Sequence, residues 1–106
     1  MNVLINFLKK MGELIWALDT IIQRVDTGML RTDLGEEMVM MDIESGNYIS
    51  LNNVGRLIWE LVEQPTSVKL VLTKLTQKFA ISEEQCFEDC CPYLTEMVQH
   101  KILQIL

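Results

Sequence analysis

The stretch that decides the fold is EEMVMMDIESGNYISLNNVGRLIWELVEQPTSV, which covers residues 36–68. Residues 38–43 form an extended apolar run, residues 44–47 have the residue types of a hairpin turn, and residues 48–51 alternate as a short strand. From Asn52 or Asn53, either of which is a good helix N-cap, the apolar period changes from that of a strand to that of a helix. This change predicts a helix that follows a strand hairpin directly.

The residues before this stretch predict a further strand. Residues 20–25 are rich in β-branched side chains, which favour a strand, and residues 26–28 end it. Residues 29–33 continue this strand or re-enter the sheet. With the two strands above, the pattern predicts a meander of three antiparallel strands over roughly residues 20–51.

The residues after the stretch predict two more helices. Ser67 is a candidate cap for a helix whose apolar positions recur at i, i+3, i+4, i+7 and i+11 up to Phe79. Residues 82–85 fit a capping box that opens a last helix towards about His100. Pro92 lies inside this last helix, where it removes a backbone donor and is expected to cause a kink.

Residues 1–18 have an amphipathic pattern of their own. Their apolar side chains recur at alternating steps of four and three, at Leu4, Leu8, Met11, Ile15 and Leu18. Such a helix can cover the domain's own core, exchange onto a second copy in a homodimer, or dock a partner enzyme. The predicted class is α+β, of winged-helix character: an N-terminal amphipathic helical extension (residues 1–18), then one domain (residues 19–106) with a three-stranded antiparallel sheet followed by three helices.

Composition and charge exclude several classes of function. The chain has 106 residues, enough for one small domain, and a net charge of −6 from nine Lys/Arg against fifteen Asp/Glu. This charge disfavours binding to nucleic acid and to an anionic membrane. No uninterrupted apolar stretch of about 20 residues is present to cross a bilayer, and the first residues lack the order of a secretory signal. These features predict a cytoplasmic protein with no membrane and no nucleic-acid partner.

Three cysteines, Cys86, Cys90 and Cys91, fall in one predicted helix. Their odd number and close spacing do not fit a disulfide framework, which agrees with a reducing compartment. A zinc site needs four ligands, and His100 is the only histidine, so no second ligand pair completes one. We interpret the cysteines as small buried hydrophobes and expect neither a metal nor a cofactor.

No group of residues forms a catalytic site. A Cys90 nucleophile would have His100 as its base, but the two lie about three turns apart on one helix, roughly 15 Å, which is beyond proton transfer. The acidic pairs at residues 36–37 and 83–84 lie in a turn and at a helix start, where carboxylates favour the helix dipole. The sequence therefore predicts a protein that is not an enzyme by itself.

A short strand at the edge of a small sheet offers a different kind of site. Its unpaired N–H and C=O groups can accept an extended peptide as an added strand, whose side chains enter neighbouring pockets. The strand at residues 48–51, beside the apolar face of the last helix, would make such a groove. Leu51 and Leu94 fit the domain core equally well, and the residue pattern leaves that choice open.

The ordered features of residues 20–106 resemble the pyrroloquinoline quinone biosynthesis protein D family, the precursor-peptide recognition elements of ribosomally made, modified peptides. The residues that carry the resemblance are Val39, Met41, Asp42, Glu44, Ser45, Gly46, Tyr48, Leu51, Asn52, Gly55, Ile58, Trp59, Leu61, Pro65, Thr66, Leu72, Leu75, Phe79, Leu94, Met97, Ile102 and Leu103. Within that family, the spacing is most similar to the stand-alone leader-binding subunit of lasso-peptide systems.

This resemblance implies that the domain binds the leader segment of a precursor peptide as an added strand, clamped by the last helix, without catalysis or a cofactor. It would present the precursor to a cysteine peptidase of transglutaminase-like fold and to an ATP-dependent macrolactam cyclase. On this basis the peptide-binding strand is expected to comprise Asn47, Tyr48, Ile49 and Ser50. The helix-side pocket is expected to comprise Cys90, Tyr93, Leu94 and Met97, with Asp89 and Glu96 as partners for leader cations.

Three features depart from the family pattern. Pro92 interrupts the helix that lines the groove, Lys101 stands where a glycine often ends the last helix, and residues 1–18 have no match. Two other functions fit the same order of elements. One is a peptide chaperone for a radical SAM enzyme of cofactor or peptide maturation. The other is a winged-helix DNA-binding regulator, which the acidic last helix disfavours because a recognition helix needs a basic stripe.

Overall fold

Six strands and three helices follow one another along residues 16–106, the part of the chain that the computed structural model describes. In chain order they are β1 (Ile21–Arg24), β2 (Met29–Leu34), β3 (Glu37–Asp42), β4 (Tyr48–Leu51), α1 (Asn53–Leu61), β5 (Thr66–Ser67), α2 (Val68–Phe79), α3 (Glu83–Gln99) and β6 (Leu103–Ile105). The predicted α+β class is confirmed. The helical extension predicted for residues 1–18 lies, up to residue 15, outside the described residues, and residues 16–18 are not helical.

The strands form two small sheets. β2, β3 and β4 make an antiparallel meander in that order, whereas β1 lies between β5 and β6 in a second sheet. The meander predicted over residues 20–51 therefore needs correction at its start, because it begins only at β2. The partners of β1 come from residues 66–67 and 103–105. A local sequence pattern cannot detect pairing with residues so far along the chain.

The helices begin at residues that the sequence indicated. Asn52, Ser67 and Ser82 each accept a hydrogen bond from the backbone N–H three residues further on, at 3.0, 3.1 and 3.1 Å. Each bond satisfies an N–H group that a helix start leaves without an intrahelical partner. α3 is continuous over 17 residues with Pro92 inside it. None of the helices described within residues 16–106 has the length and apolar character that a bilayer span requires.

The end of α3 adopts the conformation that a glycine usually provides. Lys101 has a φ of 62°, in the left-handed region. The N–H groups of Lys101 and Ile102 donate to the carbonyls of Val98 and Met97, each at 3.0 Å. This pair of bonds is the Schellman arrangement that ends many helices. Lys101 thus makes the left-handed turn itself, and the chain continues directly into β6.

The core lies between the sheets and the helices, and it draws buried side chains from both sheets and from all three helices. Its largest fully buried members are Ile22, Met38, Met40, Ile58, Leu72, Leu75, Leu94 and Ile102. Full burial of one such side chain contributes about 1.5–3 kcal/mol. This packing holds α3 beside β4, where the candidate site lies.

Candidate functional site

β4 forms an edge of its sheet. Among the described strands it pairs only with β3. The Asp42 N–H donates to the Asn47 carbonyl at 2.9 Å, which makes these two residues a hydrogen-bonded pair. Because hydrogen-bonded and non-hydrogen-bonded pairs alternate along an antiparallel ladder, the main-chain groups of Tyr48 and Ser50 point away from β3. The edge therefore presents the N–H and C=O groups of two residues to an incoming strand.

A groove of about 480 Å³ runs between this edge and α3. It is lined by Glu37, Tyr48, Ile49, Ser50, Leu51, Asn52, Tyr93, Glu96, Met97, His100 and Ile102. The lining thus combines β4, the cap of α1, and the second half of α3 with its exit. The site residues predicted from the sequence that meet here are Tyr48, Ile49, Ser50, Tyr93, Glu96 and Met97.

The floor and the walls of the groove differ in character. Met97 is 2% exposed and Ile102 is fully buried, so these two side chains contribute a small apolar area to the floor. Tyr48 is 72% exposed and stands at the open side. Glu37 and Glu96 are exposed carboxylates in the lining. This arrangement suits an extended chain that turns apolar side chains inward and carries positive charge.

Asn52 joins the start of α1 to the wall of the groove. Its Oδ1 accepts from the Gly55 N–H at 3.0 Å, and its Nδ2 donates to the Tyr93 hydroxyl at 2.8 Å. Both ends of the side chain are therefore engaged, which holds the Tyr93 ring at one end of the groove. The sequence indicated Asn52 as a helix cap and as part of the family pattern but not as a site residue, because a hydrogen bond to a distant helix leaves no local pattern.

A second cavity of about 360 Å³ lies beyond Tyr93, among the three helices. Its lining is mainly apolar and comprises Val54, Leu75, Phe79, Ile81, Cys86, Asp89, Cys90 and Tyr93. Tyr93 also lines the groove, so the two spaces are neighbours.

The other predicted site residues lie outside the groove. Asp89 and Cys90 line the second cavity instead. Leu94 is 1% exposed. Of the two roles that the sequence left open for it, groove or core, the structure shows the core. Asn47 lies in the turn before β4, where its carbonyl accepts the hydrogen bond from Asp42. The structure thus divides the predicted pocket of α3 between the groove, the second cavity and the core.

All three cysteines are buried. The sulfurs of Cys86 and Cys90 lie 3.8 Å apart on successive turns of α3. Burial raises the pKa of both thiols, because a thiolate there would lose its solvation. Protonated thiols are poor nucleophiles and poor metal ligands. Within residues 16–106, no cluster of three or more His, Cys, Asp or Glu side chains is arranged to hold a metal ion.

Glu37, His100 and Ile102 line the groove although the sequence did not identify them as site residues. Glu37 begins β3, and the register of the hairpin brings it next to the end of β4. The turn at residues 44–47 sets that register, so the sequence contained the signal for Glu37. His100 is the cap residue at the end of α3. Ile102 follows the left-handed turn at Lys101, which the residue type at that position does not indicate.

The fold and the site together define a small α+β domain of the winged-helix type, in which the edge of β4 that no other described strand pairs with faces a groove lined by the last helix. The family model of coenzyme PQQ synthesis protein D (PqqD) matches residues 37–103. The chain belongs to this family, which confirms the resemblance found in the sequence. The matched residues contain the whole lining of the groove.

Two solved structures are similar to this chain. One is TbiB1 in complex with the TbiA(beta) leader peptide, at 18% identity and a TM-score of 0.66, with 77% of this chain and 94% of that one covered. The other is lasso peptide synthetase B1 complexed with the leader peptide, at 19% identity and a TM-score of 0.66, with 78% and 96% covered. At these identities the likeness establishes a shared fold. No curated protein matches the chain.

Proposed function

We propose that this chain binds the leader segment of a ribosomally made precursor peptide by adding it as a strand to β4. The observation that carries the proposal is the outward-facing main chain of Tyr48 and Ser50 beside the groove. Both similar solved structures are complexes with leader peptides, which supports the same use of the fold here. A peptide gains main-chain hydrogen bonds at such an edge and specificity from the adjoining pockets.

In this proposal the peptide lies between β4 and α3. Its inward side chains pass over Met97 and beside Tyr93, and Ile49 adds apolar surface from the strand. Glu96, joined by Glu37, attracts lysine or arginine side chains of the leader, in keeping with the net charge of −6.

The size of the groove is consistent with a moderate affinity. Two or three apolar side chains buried at about 1.5–3 kcal/mol each contribute roughly 4–8 kcal/mol. Edge hydrogen bonds add about 0.5–1.5 kcal/mol apiece, whereas ordering a flexible peptide costs about 2–5 kcal/mol. The balance corresponds to a Kd near micromolar or somewhat tighter. Such a Kd allows the module to bind a precursor and then release it to another protein.

The role that we propose is not catalytic, and partner enzymes act on the bound precursor. The protonated, buried thiols of Cys86 and Cys90 support this role, because a cysteine nucleophile reacts as the thiolate. The resemblance to lasso systems implies a transglutaminase-like cysteine peptidase and an ATP-dependent macrolactam cyclase as partners. The match to a family model of coenzyme PQQ synthesis favours a second candidate, delivery of a peptide to a radical SAM enzyme. The genes next to the gene for this chain distinguish the two systems.

DNA binding is the weaker alternative. α3, which would have to be the recognition helix, contains Glu83, Glu84, Glu88, Asp89 and Glu96 but neither lysine nor arginine. Contact with phosphates requires such cations. A gel shift with random duplex DNA at low salt should therefore show no complex, and a salt-sensitive complex would favour the regulator.

Ser50→Pro tests strand addition most directly. Proline removes the outward N–H of Ser50, while the ladder bonds to β3 come from residues 49 and 51 and stay in place. The probe is a fluorescein-labelled leader peptide from the precursor gene nearest to the gene for this chain. We expect its Kd, measured by fluorescence anisotropy, to rise at least about tenfold, because an edge hydrogen bond is lost and the peptide carbonyl is left unpaired.

Ser50→Thr is the matched control, since it keeps the backbone N–H and suits a strand. Its Kd should stay within about twofold of that of the original chain. Circular dichroism and thermal melts establish that both variants fold. Equal affinity of Ser50→Pro and the original chain would rule out strand addition at β4.

A further inference from the structure

Tyr93 lines both the groove and the second cavity, so the two spaces are neighbours. β4 ends at the Asn52 cap, and Val54, two residues further on, already lines the cavity. Over the same path, the facing residues of α3 change from Met97 through Tyr93 to Cys90. A peptide strand that leaves β4 at its Asn52 end therefore arrives at the mouth of the cavity.

We infer that the second cavity takes one large apolar side chain of the same peptide, about four residues from the residue that lies over Met97. This inference rests on the proposed function. The Cys86–Cys90 pair lies about nine residues before Met97 on α3, which corresponds to roughly 13 Å along the helix axis. An extended peptide spans that distance in about four residues. We call the side chain in the cavity the anchor. Because side chains alternate along a strand, a separation of four peptide residues places the anchor on the same face as the residue over Met97, the face towards α3.

The lining of the cavity decides which class of side chain it takes. Leu75, Phe79 and Ile81 offer hydrocarbon surface, and the neighbouring thiols of Cys86 and Cys90 carry no charge. A charged side chain would lose its hydration there without gaining a buried partner. Leucine, isoleucine, methionine or phenylalanine would instead bury apolar area.

Asp89 gives the cavity a single acidic residue. It is exposed, and it accepts a hydrogen bond from the Gln85 side chain at 2.8 Å. A lysine or arginine next to the apolar anchor can therefore pair with Asp89 in solvent while the anchor is buried. In this arrangement Asp89 and Cys90, which lie outside the groove, contact the same peptide as Tyr48 and Ser50.

A display library of random 14-residue peptides, selected against the full chain, provides the test without knowledge of the natural leader. The enriched peptides are synthesised with a fluorescein label, and each position is replaced by alanine in turn. We expect one apolar position, about four residues from the central apolar position, at which alanine raises the Kd about tenfold.

Val54→Phe then identifies where that position binds, because it places a ring in the cavity from the α1 side. In this variant the alanine replacement at the anchor should raise the Kd less than twofold, whereas other positions keep their effects. Ile81→Asp, at a residue that is 39% exposed, instead places a charge at the rim of the cavity and should have the same effect on the anchor position. Leu70→Phe, on an exposed position of α2 that lines neither the groove nor the cavity, is the matched control and should retain the tenfold effect.

Two results separate failure of this inference from failure of the proposed function. If alanine at the anchor position raises the Kd by the same factor in Val54→Phe and Ile81→Asp as in the original chain, the cavity does not bind the anchor. The proposal of strand addition to β4 then still stands. If the selected peptides bind Ser50→Pro as tightly as the original chain, they do not pair with β4, and both proposals fail.

Discussion

The two edges of the β2–β3–β4 sheet differ in how they receive an incoming strand. On β2 the residues whose main chain points outward are Met29, Arg31 and Asp33. The side chains of Arg31 and Asp33 pair with each other at 3.1 Å and with charged residues of α1 at 3.2 and 3.6 Å. On β4 the corresponding residues, Tyr48 and Ser50, are uncharged. Charged side chains are a common means of preventing an edge from pairing. As far as residues 16–106 show, the sheet therefore has one guarded edge, with charged side chains, and one open edge without them.

The outward orientation on β2 follows from the same alternation as on β4. The Ile43 N–H donates to the Gly28 carbonyl at 2.9 Å, so the hydrogen-bonded pairs with β3 leave Met29, Arg31 and Asp33 between them. Exposed ion pairs contribute only about 0–1 kcal/mol each. We therefore expect their main consequence to be that they keep other strands away from β2, whereas the outward residues of β4 carry no such charge.

Met97→Ala and Tyr48→Ala separate the packed side of the groove from its open side, and the first has the largest expected effect. Met97 is almost fully buried, so its truncation should lower the free energy of unfolding by about 2–5 kcal/mol. Tyr48 is mostly exposed, so Tyr48→Ala should change stability by less than about 1 kcal/mol while weakening leader binding. Urea unfolding measures the stability, and anisotropy titration measures the binding. A large loss of stability in Tyr48→Ala would mean that the edge is already packed.

Arg31→Val should open the guarded edge. The variant loses the ion pairs with Asp33 and Glu60 and the contact of the guanidinium with the Trp59 ring, 5.5 Å from its centroid. We expect a stability loss of about 1 kcal/mol together with concentration-dependent self-association, measured by size-exclusion chromatography with light scattering. Lys69→Val removes one positive charge from α2 and should keep the oligomeric state of the original chain. If both variants associate equally, net charge and not the guarded edge is responsible.

The smallest expected effect concerns the turn that leads into β4. The Ser45 hydroxyl and the Glu44 N–H donate to the Asp42 carboxylate and hold the pKa of that group below its ordinary value. The contribution to stability is therefore present above the pKa of an unfolded aspartate and is lost as the pH falls through the lower folded value. Ser45→Ala should raise the pKa of Asp42, as measured by NMR titration of the carboxyl carbon. Ser50→Ala, on the edge itself, should leave that pKa unchanged, and a shift in both variants would contradict the local cause.

Features that depend on near neighbours in the chain could be predicted from the sequence. Gly46 takes a φ of 75° in the hairpin turn. The three helices are capped by hydrogen bonds to the N–H group three residues further on, from Asn52, Ser67 and Ser82. The kind of site, an open strand beside the last helix, also followed from the order of the elements. The turn and the caps depend on residue types within about one turn, and the kind of site depends only on the order of the elements.

The assignment of individual residues on α3 could not be predicted in the same way. Leu94 and Met97 lie three residues apart on one apolar stripe, yet only Met97 lines the groove, while Leu94 packs in the core. The difference depends on how α3 is rotated against β4, which the whole core determines. The same reasoning applies to Cys90, which the packing of all three helices places in the second cavity.

By itself the sequence determined the alternation of strands and helices, their caps and the family, because these depend on local chemistry and on an ordered set of residues. Only the tertiary structure decided that β1 leaves the meander, that His100 and Ile102 join the groove, and that a second cavity adjoins it. These features arise from contacts between residues far apart in the chain, and no residue type encodes such a contact alone.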